Sequence, residues 1–189
     1  EPLFEEAKAI REKVLGKEHR EYCISLTNLS ALNMDMGNLE KAKFYGLDAK
    51  NIKEKVIGKG NKSYAGSLDN LNRIYWRLGA FDSAQIYLIQ TNEIERALMT
   101  KASSHLSEQE LSSYIHNFKD GLNRDFSFCQ LQPDIAAICY NNALFYKGFV
   151  LNCAARISKF AMPDSTTAAQ YRQFRNYNSR LAEAYTKPV

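Results

Sequence analysis

Four cysteines, Cys23, Cys129, Cys139 and Cys153, and three histidines are the first side chains to weigh for chemistry. No C-x-x-C pair occurs, so neither a zinc site nor a disulfide framework is expected, and a reducing compartment fits the spacing better. Cys129 follows His116 by thirteen residues. A thiol nucleophile needs a base within reach and a third group to orient that base. Both could lie near one helix end, but packing as a small hydrophobe or solvent exposure is the favoured role. Cys139 and Cys153 fall on one expected helix about 21 Å apart along its axis, too far to share a metal. The carboxylates Glu5, Glu6, Glu108 and Glu110 suit helix first turns, where negative charge meets the dipole. The glycine–lysine run at 58–62 lacks the spacing and the preceding strand of a phosphate loop, so it reads as a turn between helices. No cofactor or metal is expected.

The elements that would position any site must come from 189 residues with 45% hydrophobic and 24% charged side chains. That excludes disordered and fibrous classes. Nine glycines and four prolines are few for an all-β chain, which needs frequent turns. The formal charge of +4 is too small to argue for nucleic acid by itself. No run of about 18 apolar residues exists to span a membrane. The chain opens on Glu1 in what already reads as helix, so a fragment or processed chain is expected.

The sequence repeats itself. IREKVLGK at 10–17 matches IKEKVIGK at 52–59, an offset of 42 residues. In the same register Tyr22, Ser25, Leu26, Asn28 and Leu29 match Tyr64, Ser67, Leu68, Asn70 and Leu71. Gly37, Ala42 and Tyr45 match Gly79, Ala84 and Tyr87. A fixed period of this size marks stacked supersecondary units, none able to bury its apolar face alone. Each unit reads as two helices. Tyr22, Leu26, Leu29, Leu32 and Met36 stripe the first, and Gly37 sits where a chain end needs positive φ. Asn38 is placed to cap the second, which carries Leu39, Ala42, Tyr45, Ala49, Ile52 and Val56 and stops at Gly58. Residues 2–15 read as the second helix of a preceding unit.

The pattern Y-x-x-S-L-x-N-L, then G-x-[LF]-x-x-A, seen twice, resembles tetratricopeptide repeats of the 42-residue type found in kinesin light chains. The turn proline typical of that family is missing before Gly58. Its large second-helix aromatic is replaced by Gly46, so looser packing is expected there. The resemblance implies an all-α, right-handed helical-repeat solenoid whose first helices line a concave groove. Asn28 and Asn70 resemble the asparagines that hold an extended peptide's backbone in such grooves, and an amide suits that role because it both donates and accepts. Thr27, Asp69, Arg73 and Arg77 neighbour them by helical spacing. These six form the expected peptide-binding set. The competing role for the two asparagines is to hold the junction between repeats, since buried amides must be satisfied.

From about residue 101 the period fails. Ser107 and Glu110 form a capping box for a helix expected to reach Phe126. Pro133 and Asp134 open a longer one, to about Ile157. Met162-Pro163-Asp164-Ser165 breaks the chain before a last helix from Thr166 to Tyr185. The expected division is a repeat array over 1–100 and a non-repeating three-helix extension over 101–189. LSEQE (106–110), YNNALFYKGFVLN (140–152) and RLAEAY (180–185) resemble the segment that precedes the caspase-like domain in bacterial CHAT proteins. That catalytic unit would lie beyond Val189, and no catalytic residue is carried over to this chain.

The expected function is a non-catalytic, cytoplasmic protein-recognition scaffold. Its partners are a peptide or protein ligand and a C-terminal domain of the same parent chain. RNA binding, suggested by Arg172, Arg175 and Arg180 beside Tyr171, Phe174 and Tyr177, is the alternative, as is a structural spacer. Capping of a solenoid explains the arginine-rich helix more simply.

Overall fold

The computed structural model describes residues 1–103, 108–116, 118, 121, 133–161, 166, 168–170, 172–173 and 176–177. Among them the chain is all-helical, with no strand. In chain order α1 spans Pro2–Leu15, α2 Arg20–Asp35, α3 Leu39–Ile57, α4 Lys62–Arg77 and α5 Phe81–Ala102. Then come α6, Glu108–His116, a 3₁₀ turn at Pro133–Ile135 and α7, Ala136–Ala161. The α2–α3 and α4–α5 hairpins are the two expected units, and α1 takes the place of a second helix before them.

The turns show the duplication most directly. Gly16 and Gly58, which end α1 and α3, share one backbone geometry, φ 83 and ψ 165 against φ 77 and ψ 167. The turns within the hairpins share another. Asn38 N–H donates to Asn33 O at 2.8 Å and Ala80 N–H to Tyr75 O at 3.0 Å. These are the long closing bonds of a glycine-terminated helix end, with Gly37 at φ 80 and Gly79 at φ 74. Helix starts repeat as well. His19 Nδ1 accepts from Glu21 N–H at 3.1 Å and Asn61 Oδ1 from Ser63 N–H at 2.8 Å. Neither cap was expected. Asn38 was expected to cap α3, but its side chain makes no capping bond and its Nδ2 reaches Asn33 Oδ1 at 3.5 Å.

The core runs along the seams between helices. Tyr22, Leu26 and Ala49, with Tyr45 and Ile52 against them, join α2 to α3. Met34, Ala42 and Ile74 join α2, α3 and α4, so neighbouring units share one apolar seam. Gly46 corrects the expectation of loose packing. It is buried, and a Cβ added there would meet Leu71 Cδ2 at 3.0 Å and Ser30 Oγ at 3.1 Å. The missing side chain leaves no slack; it lets α4 come closer to α3.

The period ends for a local reason. The counterpart of Gly58 in the next unit is Thr100, whose hydroxyl donates back to Arg96 O at 2.8 Å. Without a residue suited to positive φ, α5 continues to Ala102. Helix α7 lies along α5 in the same direction. Ile135 and Cys139 pack with Leu88, and further along Tyr146 packs with Met99 and Phe118. The helix expected from Pro133 is present as the 3₁₀ turn and α7. Ser107, residues 122–126 and most of the expected terminal helix lie outside the described residues, as do Cys129, Arg175 and Arg180. Cys139 is disulfide-bonded, which corrects the expectation of no disulfide framework and removes the argument for a reducing compartment.

Candidate functional site

The six expected groove residues divide by what their side chains touch. Asn70 is 9% exposed and its Nδ2 donates to Ser30 Oγ at 2.8 Å. Ser30 in turn donates to Ala42 O at 2.8 Å. One relay thus runs from α4 through α2 to α3. Arg77 Nη1 donates to Met34 O at 2.6 Å. That carbonyl, which also accepts from Gly37 N–H at 3.1 Å, lies in the last turn of α2, where a cation meets the negative end of the dipole. Thr27 is half-buried and its hydroxyl donates to Cys23 O at 2.9 Å within its own helix. Asp69 is half-buried, while Asn28 and Arg73 are exposed.

Asn28 and Asn70 therefore differ although the sequence pairs them. Asn70 meets a neighbouring first helix, α2, whereas Asn28 is exposed. The amide of Asn70 is engaged at the junction, and that of Asn28 faces solvent. Of the six, Asn28, Arg73 and Arg77 are exposed, flanked by the half-buried Thr27 and Asp69, and the Arg77 guanidinium is engaged with Met34 O.

A second set of polar contacts follows the same register and was not read from the sequence. Arg11 Nη1 donates to Ser25 Oγ at 2.6 Å, and Lys53 Nζ donates to Ser67 Oγ at 2.8 Å. Each joins a second helix to the first helix of the next unit. Ser25 and Ser67 already matched in the alignment, and positions 11 and 53 are both basic; that was the available signal. Lys53 is buried and its ammonium is held below the ordinary lysine range by desolvation. Burial pushes the Cys23 thiol up. Tyr64, whose hydroxyl donates to Glu54 Oε2 at 3.3 Å, is pushed up to about 12, chiefly by burial and then by the Glu54 charge.

At the C-terminal side, the YNNALFYKG segment contributes two partly buried polar contacts to α5. Asn142 Oδ1 accepts from Arg96 Nε at 3.0 Å, and Tyr146 OH donates to Glu95 Oε2 at 3.2 Å. The Arg96 guanidinium also lies 5.1 Å from the Phe145 ring centre. The same helix leaves Tyr140 and Leu144 largely exposed, one turn apart. An open cavity of about 330 Å³ lies where the α3–α4 turn meets α5, walled by Ile94, Ala97 and Leu98 with Lys59 and Glu93 at its edge.

Among the described residues no group of three or more His, Cys, Asp or Glu could hold a metal ion. No described helix is long and apolar enough to cross a membrane. In comparisons with known proteins, no curated protein matches the chain. A family model for the tetratricopeptide repeat matches residues 1–21, which here are α1, its glycine turn and the start of α2. With the two hairpins of matching turn geometry that follow, this match supports a tetratricopeptide-type helical repeat, a class that is typically a non-catalytic scaffold and generally mediates protein–protein interaction.

Proposed function

We propose that this chain recognises an extended peptide segment of a partner protein across the exposed side of α2 and α4. Asn28 and Arg73 make the polar contacts, with Thr27 and Asp69 beside them. The observation that carries the reading is the engagement of Asn70 and Arg77 at the junction. They fix α2 against α4, so Asn28 and Arg73 are presented on a rigid pair of helices and little ordering cost falls on binding. The repeat array over 1–100 holds the recognition face. The extension over 101–189 joins it to a further, caspase-like domain of a bacterial parent protein, and partner binding regulates that domain. The exposed Tyr140–Leu144 pair on α7 supports such a bracing surface, because its opposite face is already spent on α5.

A displayed peptide library selected on the intact chain tests the reading. Sequences enriched on the wild type should be lost on the Asn28→Ala/Arg73→Glu double variant, with helicity and thermal midpoint unchanged. Equal enrichment on both proteins removes the groove assignment.

A further inference from the structure

Arg11 and Lys53 occupy the same place in successive units, yet their charges are met differently. Arg11 has a carboxylate: its Nη2 lies 3.5 Å from Glu21 Oε2 while Nη1 serves Ser25. In the 42-residue register the counterpart of Glu21 is Ser63. Lys53 accordingly meets only neutral oxygens, Ser67 Oγ at 2.8 Å and Ser63 O at 3.2 Å. An ammonium has three N–H donors, so one is left over. Lys53 is 7% exposed and makes no ion pair among the described residues. A buried charge without a counterion is costly, and proteins rarely leave one so.

The place of the missing carboxylate is a cavity of about 60 Å³, lined by Arg20, Cys23, Ile24, Lys53, Val56 and Ser63. That is room for more than one water-sized group. It lies at the edge of the array where α3 ends and α2 and α4 begin. Arg20 brings a second cation to its rim. The Cys23 thiol cannot neutralise Lys53, because burial pushes its ionisation up. Ile24 and Val56 give the remaining wall an apolar character.

We propose that this cavity is a carboxylate-binding site, in which Lys53 and Arg20 hold the anionic group that Glu21 provides internally in the preceding unit. The ligand class is a small carboxylate with one or two carbons beside it, either a free short-chain acid or an aspartate side chain on a partner. The site is independent of the Asn28–Arg73 face.

The test is titration of the isotopically labelled intact chain with sodium acetate, with sodium fluoride holding ionic strength constant, followed by amide resonances. A blocked aspartyl peptide forms a second arm. Saturable shifts at Ile24 and Ser63 are expected in the wild type. Both Lys53→Met and Ser63→Glu should weaken them at least tenfold. Ser63→Glu restores the carboxylate of the first unit at a helix first turn, where it is tolerated, so it keeps the test valid if Lys53→Met fails to fold. Tighter binding of the peptide than of acetate assigns the ligand to a protein partner; equal binding assigns it to a free acid. No saturable response in the wild type, a response to inorganic phosphate alone, or a Ser63→Glu variant that titrates like the wild type overturns the proposal.

Discussion

The amide of Asn70 donates to the hydroxyl of Ser30 at 2.8 Å, across the boundary between two repeats. Forty residues of chain separate the partners, yet the bond is buried and the Ser30 hydroxyl that accepts it donates in turn to Ala42 O. A relay of this kind forms only when the two units stack in one register. It ties the 42-residue period of the sequence to the packing of the molecule.

Two glycine substitutions should move stability in opposite directions. Gly46→Ala places a methyl group against Leu71 and Ser30, and overpacking of this kind costs about 1–3 kcal/mol. That outweighs the gain of about 1 kcal/mol from the better helix former. Gly66→Ala, in an exposed part of α4 with nothing within 4 Å of the added carbon, should stabilise by about 0.5–1 kcal/mol. Urea unfolding of the two variants is the measurement, and equal signs would contradict the packing described here.

Much of the fold is legible in the sequence, but not how closely its helices pack. The offset that pairs Gly37 with Gly79 and Leu29 with Leu71 identified the helices, their order and their turns, because apolar period and glycine position are local properties. Gly46 reads as a gap in the sequence, which does not say how near the next helix comes. Asn28 and Asn70 could not be separated either, since their difference lies in which neighbour each one meets. The Lys53 site needed the comparison of Glu21 with Ser63 and the knowledge that Lys53 is buried. Cys139 was misjudged because spacing along the chain does not reveal which thiols are brought together.

Alkaline stability should depend on Tyr64. Its ionisation lies at about 12 in the folded chain against an ordinary 10.0. The unfolded chain therefore loses this proton first, and folding stability falls as pH rises from about 10 through 12. Tyr64→Phe removes that contribution. The variant should lose less stability than the wild type over this interval when both are unfolded in urea at successive pH values. Parallel losses would show that Tyr64 titrates as an ordinary surface tyrosine.

The thiols should divide by reagent access. Cys23 is a free and buried thiol, so alkylation under native conditions should be slow and should become rapid in denaturant. Cys139 should resist alkylation in both until a reductant is added. Reduction should lower stability by about 2–4 kcal/mol, the usual worth of a native disulfide. Intact-mass analysis after each treatment reads the result directly. Alkylation of Cys139 in denaturant without reductant would contradict the pairing.

A double-mutant cycle between Asn70→Ala and Ser30→Ala reads most directly whether the duplicated hairpins stack as described. The two residues lie in different units, so any coupling must cross the boundary. Each single variant should destabilise urea unfolding, and the pair should couple by about 1 kcal/mol, the worth of one buried hydrogen bond. Single losses that simply add would mean that α4 does not pack on α2 in this register, and the account of the fold and of its recognition face would fail with it.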